Sequence, residues 1–233
     1  QADLGMPGQW DCLVIGDGED VVCDIVEGKQ SGVIMAGNVR DLNKLPFPKR
    51  DEQIGPNDFH PREVEYGSCL TSRGCRERCS FCAQNLVAGE SMRWLKPDRV
   101  IGELKDICYG WAYGRDPVPV TFYDDVATLA EVRFRYICEL IIEENLPIEF
   151  RIETRADCLS DETLKLLARA GCVRIKIGIE SLNQRIVDEM HKNIKVETVT
   201  DTIRRVKKHG IPVTGNFIVG WPSQSNEDAE DDI

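Results

Sequence analysis

Two kinds of apolar segment take turns along most of this chain, and that alternation limits the folds open to it. Five stretches read as strands: EYGSCLT (65–71), VPVTFYDD (118–125), IEFRIETRA (148–156), VRIKIGIES (173–181) and PVTGNFIVG (212–220). Most are rich in β-branched or aromatic residues, and turn formers separate them. Helical segments fill the gaps. Ser160 caps one of them, Asp161 and Glu162 occupy its first turn, where the helix dipole favours negative charge, and Gly171 marks its end. Val196, Val199, Ile203 and Val206 recur at steps of three and four, giving another helix one apolar stripe that stops at Gly210. Strands joined by right-handed helical crossovers pair in parallel, so the class is α/β, with a parallel sheet that is open or curled into a (β/α) barrel. The segment SQSNEDAEDDI leads into a further helix, and the barrel is expected to be partial.

The region ahead of this alternation has its own pattern. DCLVIG reads as a strand, DGED as a turn, and an apolar-periodic helix then leads to a Gly-flanked segment, GVIMAG. Residues 1–40 are therefore expected to be the closing part of a Rossmann-like α/β domain. Next comes LNKLPFPKRDEQIGPNDFHP, with four prolines and many charges. Proline removes a backbone donor and restricts the residue before it. Residues 41–63 are thus expected to be an irregular surface linker containing the domain boundary, with the barrel core at 64–233.

Chemistry concentrates in one loop, SCLTSRGCRERCSFC, after the first barrel strand, where functional loops of such folds project. Cys75, Cys79 and Cys82 stand at C-x3-C-x2-C spacing. Three soft thiolates so spaced can wrap one face of an iron–sulfur cubane and leave one iron open to a substrate. Gly74 lets the backbone turn tightly onto it. Two other readings stay open: a structural zinc site closed by Cys69, and a redox C-x2-C formed by Cys79 and Cys82. Cys12, Cys23, Cys108, Cys138, Cys158 and Cys172 mostly neighbour apolar residues and are expected to be small buried hydrophobes.

The segment TSRGCRERCSFC resembles the signature loop of the radical S-adenosylmethionine (SAM) superfamily. FYDD, ETR, GIES and FIVGWP then follow in the order of its cobalamin-dependent subgroup. The resemblance implies an enzyme that cleaves SAM reductively at a 4Fe–4S cluster to a 5′-deoxyadenosyl radical, in a cobalamin-linked methyl transfer or a related carbon-skeleton or ring-forming reaction. It implies that Cys75, Cys79 and Cys82 bind three irons while SAM chelates the fourth, and that Phe81 lies against the adenine. Asp124 and Asp125 stand where a Gly-Gly-Glu segment often meets the methionine amino group. Glu180, with Ser181 beside it, is implied to accept from the ribose hydroxyls. Ile218 and Val219 are implied to flank the adenine, with Asn216 and Ser223 replacing a usual glycine and glutamate. Arg155 faces the pocket to meet a carboxylate, or forms a structural salt bridge. Gly16 and Gly18 resemble the turn that admits the nucleotide tail of cobalamin, with Asp17 replacing a common glutamate; they also suit an ordinary turn. Implied partners are a flavodoxin- or ferredoxin-type electron donor and a small-molecule or peptide substrate. The alternatives are a radical SAM enzyme without cobalamin and a non-catalytic zinc or iron–sulfur binding module.

A formal net charge of −11 argues against nonspecific nucleic-acid binding, which needs cations to displace phosphate counterions. No apolar run approaches the roughly 20 residues that span a bilayer. QADLGMPGQW lacks the basic start and apolar stretch of a secretory signal, so a cytoplasmic location is expected. His60, His191 and His209 show no metal-ligand spacing and are expected at the surface.

Overall fold

The computed structural model describes residues 10–50, 67–87, 91–111 and 115–232. It begins with β1 (Cys12–Gly16), α1 (Val22–Val26) and β2 (Gly32–Gly37), and the two strands pair in parallel. Gly16 has φ +107, and a Cβ there would meet the Gly37 carbonyl oxygen at 2.1 Å, so this closure admits only glycine. The helix expected from the apolar spacing is short, and Val22 and Val26 are exposed on it.

The proline-rich segment departs from a loose surface linker over its described part. Asp41 accepts from Asn43 N at 3.1 Å and starts a 3-10 turn at Leu42–Lys44, and Leu42 is buried in the core. Arg50 is buried too. It pairs with Glu103 at 2.6 Å and donates to the Ser68 carbonyl at 2.7 Å. A guanidinium taken out of water needs such partners, and here they fix a segment whose composition indicated only irregularity. The rest of the linker, with His60, lies outside the described residues.

The main unit runs β3 (Gly67–Cys69), β4 (Ser72–Arg73), α2 (Gln84–Val87), β5 (Arg93–Trp94), α3 (Pro97–Asp106), β6 (Val118–Phe122), α4 (Glu131–Glu143), β7 (Ile148–Thr154), α5 (Asp161–Arg169), β8 (Cys172–Glu180), α6 (Gln184–Glu189), α7 (Val196–Lys208), β9 (Val213–Phe217) and α8 (Asn226–Asp231). Five strands form one parallel sheet in the order β3-β6-β7-β8-β9. Spatial order follows chain order, as in a barrel, and β3 and β9 form the two edges of this partial barrel.

Side chains alternate across each strand. On β7, Ile148, Phe150 and Ile152 are buried, while Glu149, Arg151 and Glu153 are on the other face. Phe122 packs edge-on against Phe134 of α4 and Phe150 of β7, with ring centroids 5.7 and 5.2 Å apart. Such aromatic contacts add about 0.5–1.5 kcal/mol each to burial. The expected helix signals are present. Ser160 Oγ accepts from Thr163 N at 3.2 Å, and Val199 and Val206 of α7 are buried with Val196 and Ile203 packed beside them.

Candidate active site

The cysteine loop is fastened before it begins. Asp124, just past β6, accepts from Thr71 N at 3.0 Å, Thr71 Oγ1 at 2.7 Å and Ser72 Oγ at 2.5 Å. Burial pushes its carboxyl up, and these bonds only partly offset that. Asp125 takes the other direction. Its Oδ2 accepts from Gly74 N at 3.0 Å, where φ of +91 turns the chain into the loop.

Cys75, Cys79, Cys82 and Phe81 line one cavity of about 190 Å³, whose other walls include Asp125, Arg155 and Glu180 at the C-terminal side of the sheet. Burial pushes the Cys75 and Cys79 thiols up. The Glu77 N–H opposes it at Cys75, and the Arg155 and Lys192 cations oppose it at Cys79. Gln84 N donates to Cys82 Sγ at 3.4 Å. Backbone donors and cations around three thiols are what an electron-rich sulfur cage needs, so the residues present fit a 4Fe–4S cluster. Cys69 does not join them. It is buried among core residues, its thiol contacts the Leu70 carbonyl at 3.8 Å, and it is not among the described residues lining this cavity. The zinc reading therefore loses its fourth ligand. Of the other cysteines, Cys108, Cys138 and Cys172 are buried as expected, Cys12 and Cys158 are half-buried, and Cys23 is exposed because α1 packs little against the core.

Glu180 closes β8 with φ +67 and is only 8% exposed. Lys192, 3% exposed, reaches its Oε1 at 2.5 Å and the Gly178 carbonyl at 2.8 Å. Arg155 donates to Asp157 and to the Lys192 carbonyl at 3.0 Å, and lies 3.7 Å from Glu77 of the cysteine loop. It lines the cavity, and the carboxylates it meets are the structural partners Asp157 and Glu77. Lys192 is the residue that sequence reasoning missed. It falls between His191 and Asn193, both at positive φ, with no periodic pattern to mark it.

Several implied cofactor contacts are absent from the cavity wall. Asp124 is spent on Thr71 and Ser72. Ser181 is buried but donates to Asp232 at 3.1 Å and accepts from Asn183 N. Ile218 N donates to the Glu180 carbonyl at 2.9 Å, yet its side chain and that of Val219, 61% exposed, lie beyond the end of β9. None of the four is among the described residues lining the cavity, whereas Phe81, Asp125 and Glu180 are. Gly18 accepts from Val21 N and Val22 N and starts α1, so both glycines of the first turn have local structural work. His191 is exposed, and His209 ends α7 at 4.0 Å from Asp161.

A parallel half-barrel with three cysteines on the loop after its first strand, facing an acidic residue at the end of its fourth, defines a class of iron–sulfur enzyme. The chain belongs to the radical SAM superfamily, whose family model matches residues 69–233. Membership implies a 4Fe–4S cluster and SAM. An uncharacterized methyltransferase of Pyrococcus horikoshii is 30% identical over 82% of this chain and 41% of its own length. Bacteriochlorophyllide d C-12(1)-methyltransferase of Chlorobaculum tepidum is 28% identical over 90% of this chain and 45% of its own length. The chain thus spans less than half of these relatives. The radical SAM methyltransferase TsrM of Kitasatospora setae, solved with cobalamin and a [4Fe-4S] cluster, shares the fold at TM-score 0.65 and 18% identity, over 72% of this chain and 33% of that one. The cobalamin-dependent radical enzyme OxsB, solved with aqua-cobalamin and SAM, gives 0.61 and 25% over 71% and 25%. No described helix is long and apolar enough to cross a membrane.

Proposed function

We propose that this chain is the core of an enzyme that cleaves SAM reductively at a cluster held by Cys75, Cys79 and Cys82, within a cobalamin-linked methyl transfer or a related carbon-skeleton or ring-forming reaction. The observation that carries the reading is the gathering of those cysteines, Phe81 and Glu180 on one cavity. The methyltransferase names of two relatives support methyl transfer. When bound, the cluster supplies the electron that splits the sulfonium of SAM into methionine and a 5′-deoxyadenosyl radical.

The chain's own residues hold and shield. Glu180 offers a carboxylate to ribose hydroxyls, and Lys192 fixes its position. Phe81 presents a ring face to the adenine, and Arg155 a cation to the SAM carboxylate. Asp125 sets the loop through Gly74, and Asp124 sets its root, so these two act on the cofactor through the backbone. A flavodoxin or ferredoxin delivers the electron.

One observation favours a second reading, without cobalamin. The turn after β1 is already used inside the chain: Asp17 accepts from Val39 N at 2.9 Å and pairs with Arg93. The test takes the full-length protein, purified and reconstituted without oxygen. With dithionite and SAM it is expected to release 5′-deoxyadenosine, and Cys75→Ala to lose both iron and product. Corrin absorbance in the purified protein separates the two readings. Bound iron with no 5′-deoxyadenosine overturns both.

A further inference from the structure

Glu180 reaches the cavity from a backbone conformation that a glutamate does not favour. Its φ of +67 is left-handed, and the pairing of β8 with β9 shifts register between Gly178 and Glu180. A residue other than glycine keeps such a conformation only where its surroundings over-determine it. Two sets of bonds do so here. Ile218 N donates to the Glu180 carbonyl at 2.9 Å, which fixes the peptide that leaves the strand. One side chain fixes the two residues that follow. Asp232 Oδ1 accepts from Ser181 Oγ at 3.1 Å and from Leu182 N at 2.5 Å.

Asp232 comes from 51 residues further along the chain and is 5% exposed. It stands at the C-terminal cap of α8, the negative end of that helix, so the helix gains nothing from a carboxylate there. A carboxylate taken out of water needs donors, and this one also accepts from Gln224 Nε2 at 3.0 Å. Gln224 Oε1 in turn accepts from Gly220 N at 2.7 Å, in the turn after β9. One buried acid thus ties the turn after β8 to the turn after β9. Its helix is firmly based. Asp228 of α8 accepts from Asn183 Nδ2 at 2.5 Å and pairs with Arg185 at 2.9 Å, both at the start of α6.

We propose that Asp232 is a positioning residue for Glu180: it holds the left-handed turn that aims the Glu180 carboxylate at the ribose hydroxyls of SAM. The inference rests on the reading above, in which Glu180 meets those hydroxyls. Lys192 fixes the tip of the Glu180 side chain, and Asp232 fixes the backbone from which that side chain starts. Without the Asp232 carboxylate the turn relaxes and the Glu180 carboxylate shifts. What is lost is the part of SAM binding that depends on the ribose hydroxyls.

The test uses full-length protein with its cluster reconstituted, in anaerobic equilibrium dialysis without reductant, so that SAM is bound and not cleaved. The probes are SAM and its 2′,3′-dideoxy analogue, which lacks both ribose hydroxyls. Wild type is expected to bind SAM about tenfold or more tightly than the analogue. Asp232→Ala is expected to weaken SAM by about tenfold and the analogue by no more than about twofold, which erases the preference. Glu230→Gln, on the exposed side of α8, is expected to leave both unchanged. Should Asp232→Ala fail to fold, Ser181→Ala removes one donor to the same carboxylate and is expected to show the same split at about threefold. A wild-type preference that persists in the variant overturns this inference alone, whether both probes weaken equally or neither does. Equal binding of the two probes by wild type instead defeats the ribose role of Glu180 from which the inference starts.

Discussion

Glu180 and Lys192 form a pair in which each partner's burial depends on the other. Removing one leaves a buried charge, which typically costs about 3–5 kcal/mol. Lys192→Met is expected to lower stability by about that amount in urea denaturation and to weaken SAM binding tenfold or more in equilibrium dialysis. Unchanged SAM affinity would remove Lys192 from the site. Gly178 is tied to the same pair, because a Cβ there would sit 2.5 Å from Glu180 Oε1 and 2.8 Å from Lys192 Nζ. Glu180 also holds a left-handed backbone that a glutamate adopts at some expense in energy. Releasing that backbone gains less than stranding Lys192 costs, so a library randomised at this position is expected to return glutamate whether it is sorted for abundance or for SAM binding. At this scale the three cysteines were legible because a local spacing encodes them. Lys192 was not, because its meaning comes from a carboxylate 12 residues away, on the far side of α6. The division of labour between Asp124 and Asp125 was hidden too, since adjacent residues at a strand end point to opposite sides.

Among the elements, the β4–β5 hairpin has a double duty. Arg93 of β5 pairs with Asp17 and donates to the Val39 carbonyl at 2.9 Å, while Arg73 of β4 reaches Glu19 at 2.6 Å. The strand that feeds Gly74 and Cys75 is thus clamped to the turn after β1. Burial works against the Asp17 charge, but hydrogen bonds from Arg93 and Val39 N and the charges of both arginines outweigh it, and its carboxyl stays below the usual 3.8. A depressed carboxylate contributes stability above its unfolded pKa and loses it as pH falls through the folded one. The clamp is therefore expected to be complete at neutral pH and to loosen only below about pH 4. Asp17→Ala is expected to speed amide exchange across residues 10–40 at pH 7, measured by mass spectrometry, while β6–β8 stay protected. Equal exchange in both proteins would discount the clamp. Strands β6, β7 and β8 were readable from alternation and β-branched content. The end of β9 was overestimated because an apolar run, FIVG, continues past the last ladder partner at Phe217.

For the whole molecule, class and parallel pairing followed from the alternation of segments, and the strand order found, β3-β6-β7-β8-β9, matches the partial barrel expected. The linker did not follow. Its proline content announced irregular backbone, while Arg50 meets Glu103 across 53 residues of sequence, a distance no local pattern spans. Arg50→Ala is expected to destabilise the protein by about 3 kcal/mol or more in chemical denaturation, because Glu103 stays buried without its partner. Arg50 also covers part of β3, one of the two outer strands of the sheet. A shortened version starting at residue 64, the boundary that proline content suggests, lacks this guard. Its first strand would offer bare amides and carbonyls to any passing copy, and strands recruit strands. Such a fragment is expected to scatter light and pellet where the longer protein stays monodisperse, which makes the arginine a safeguard against self-association.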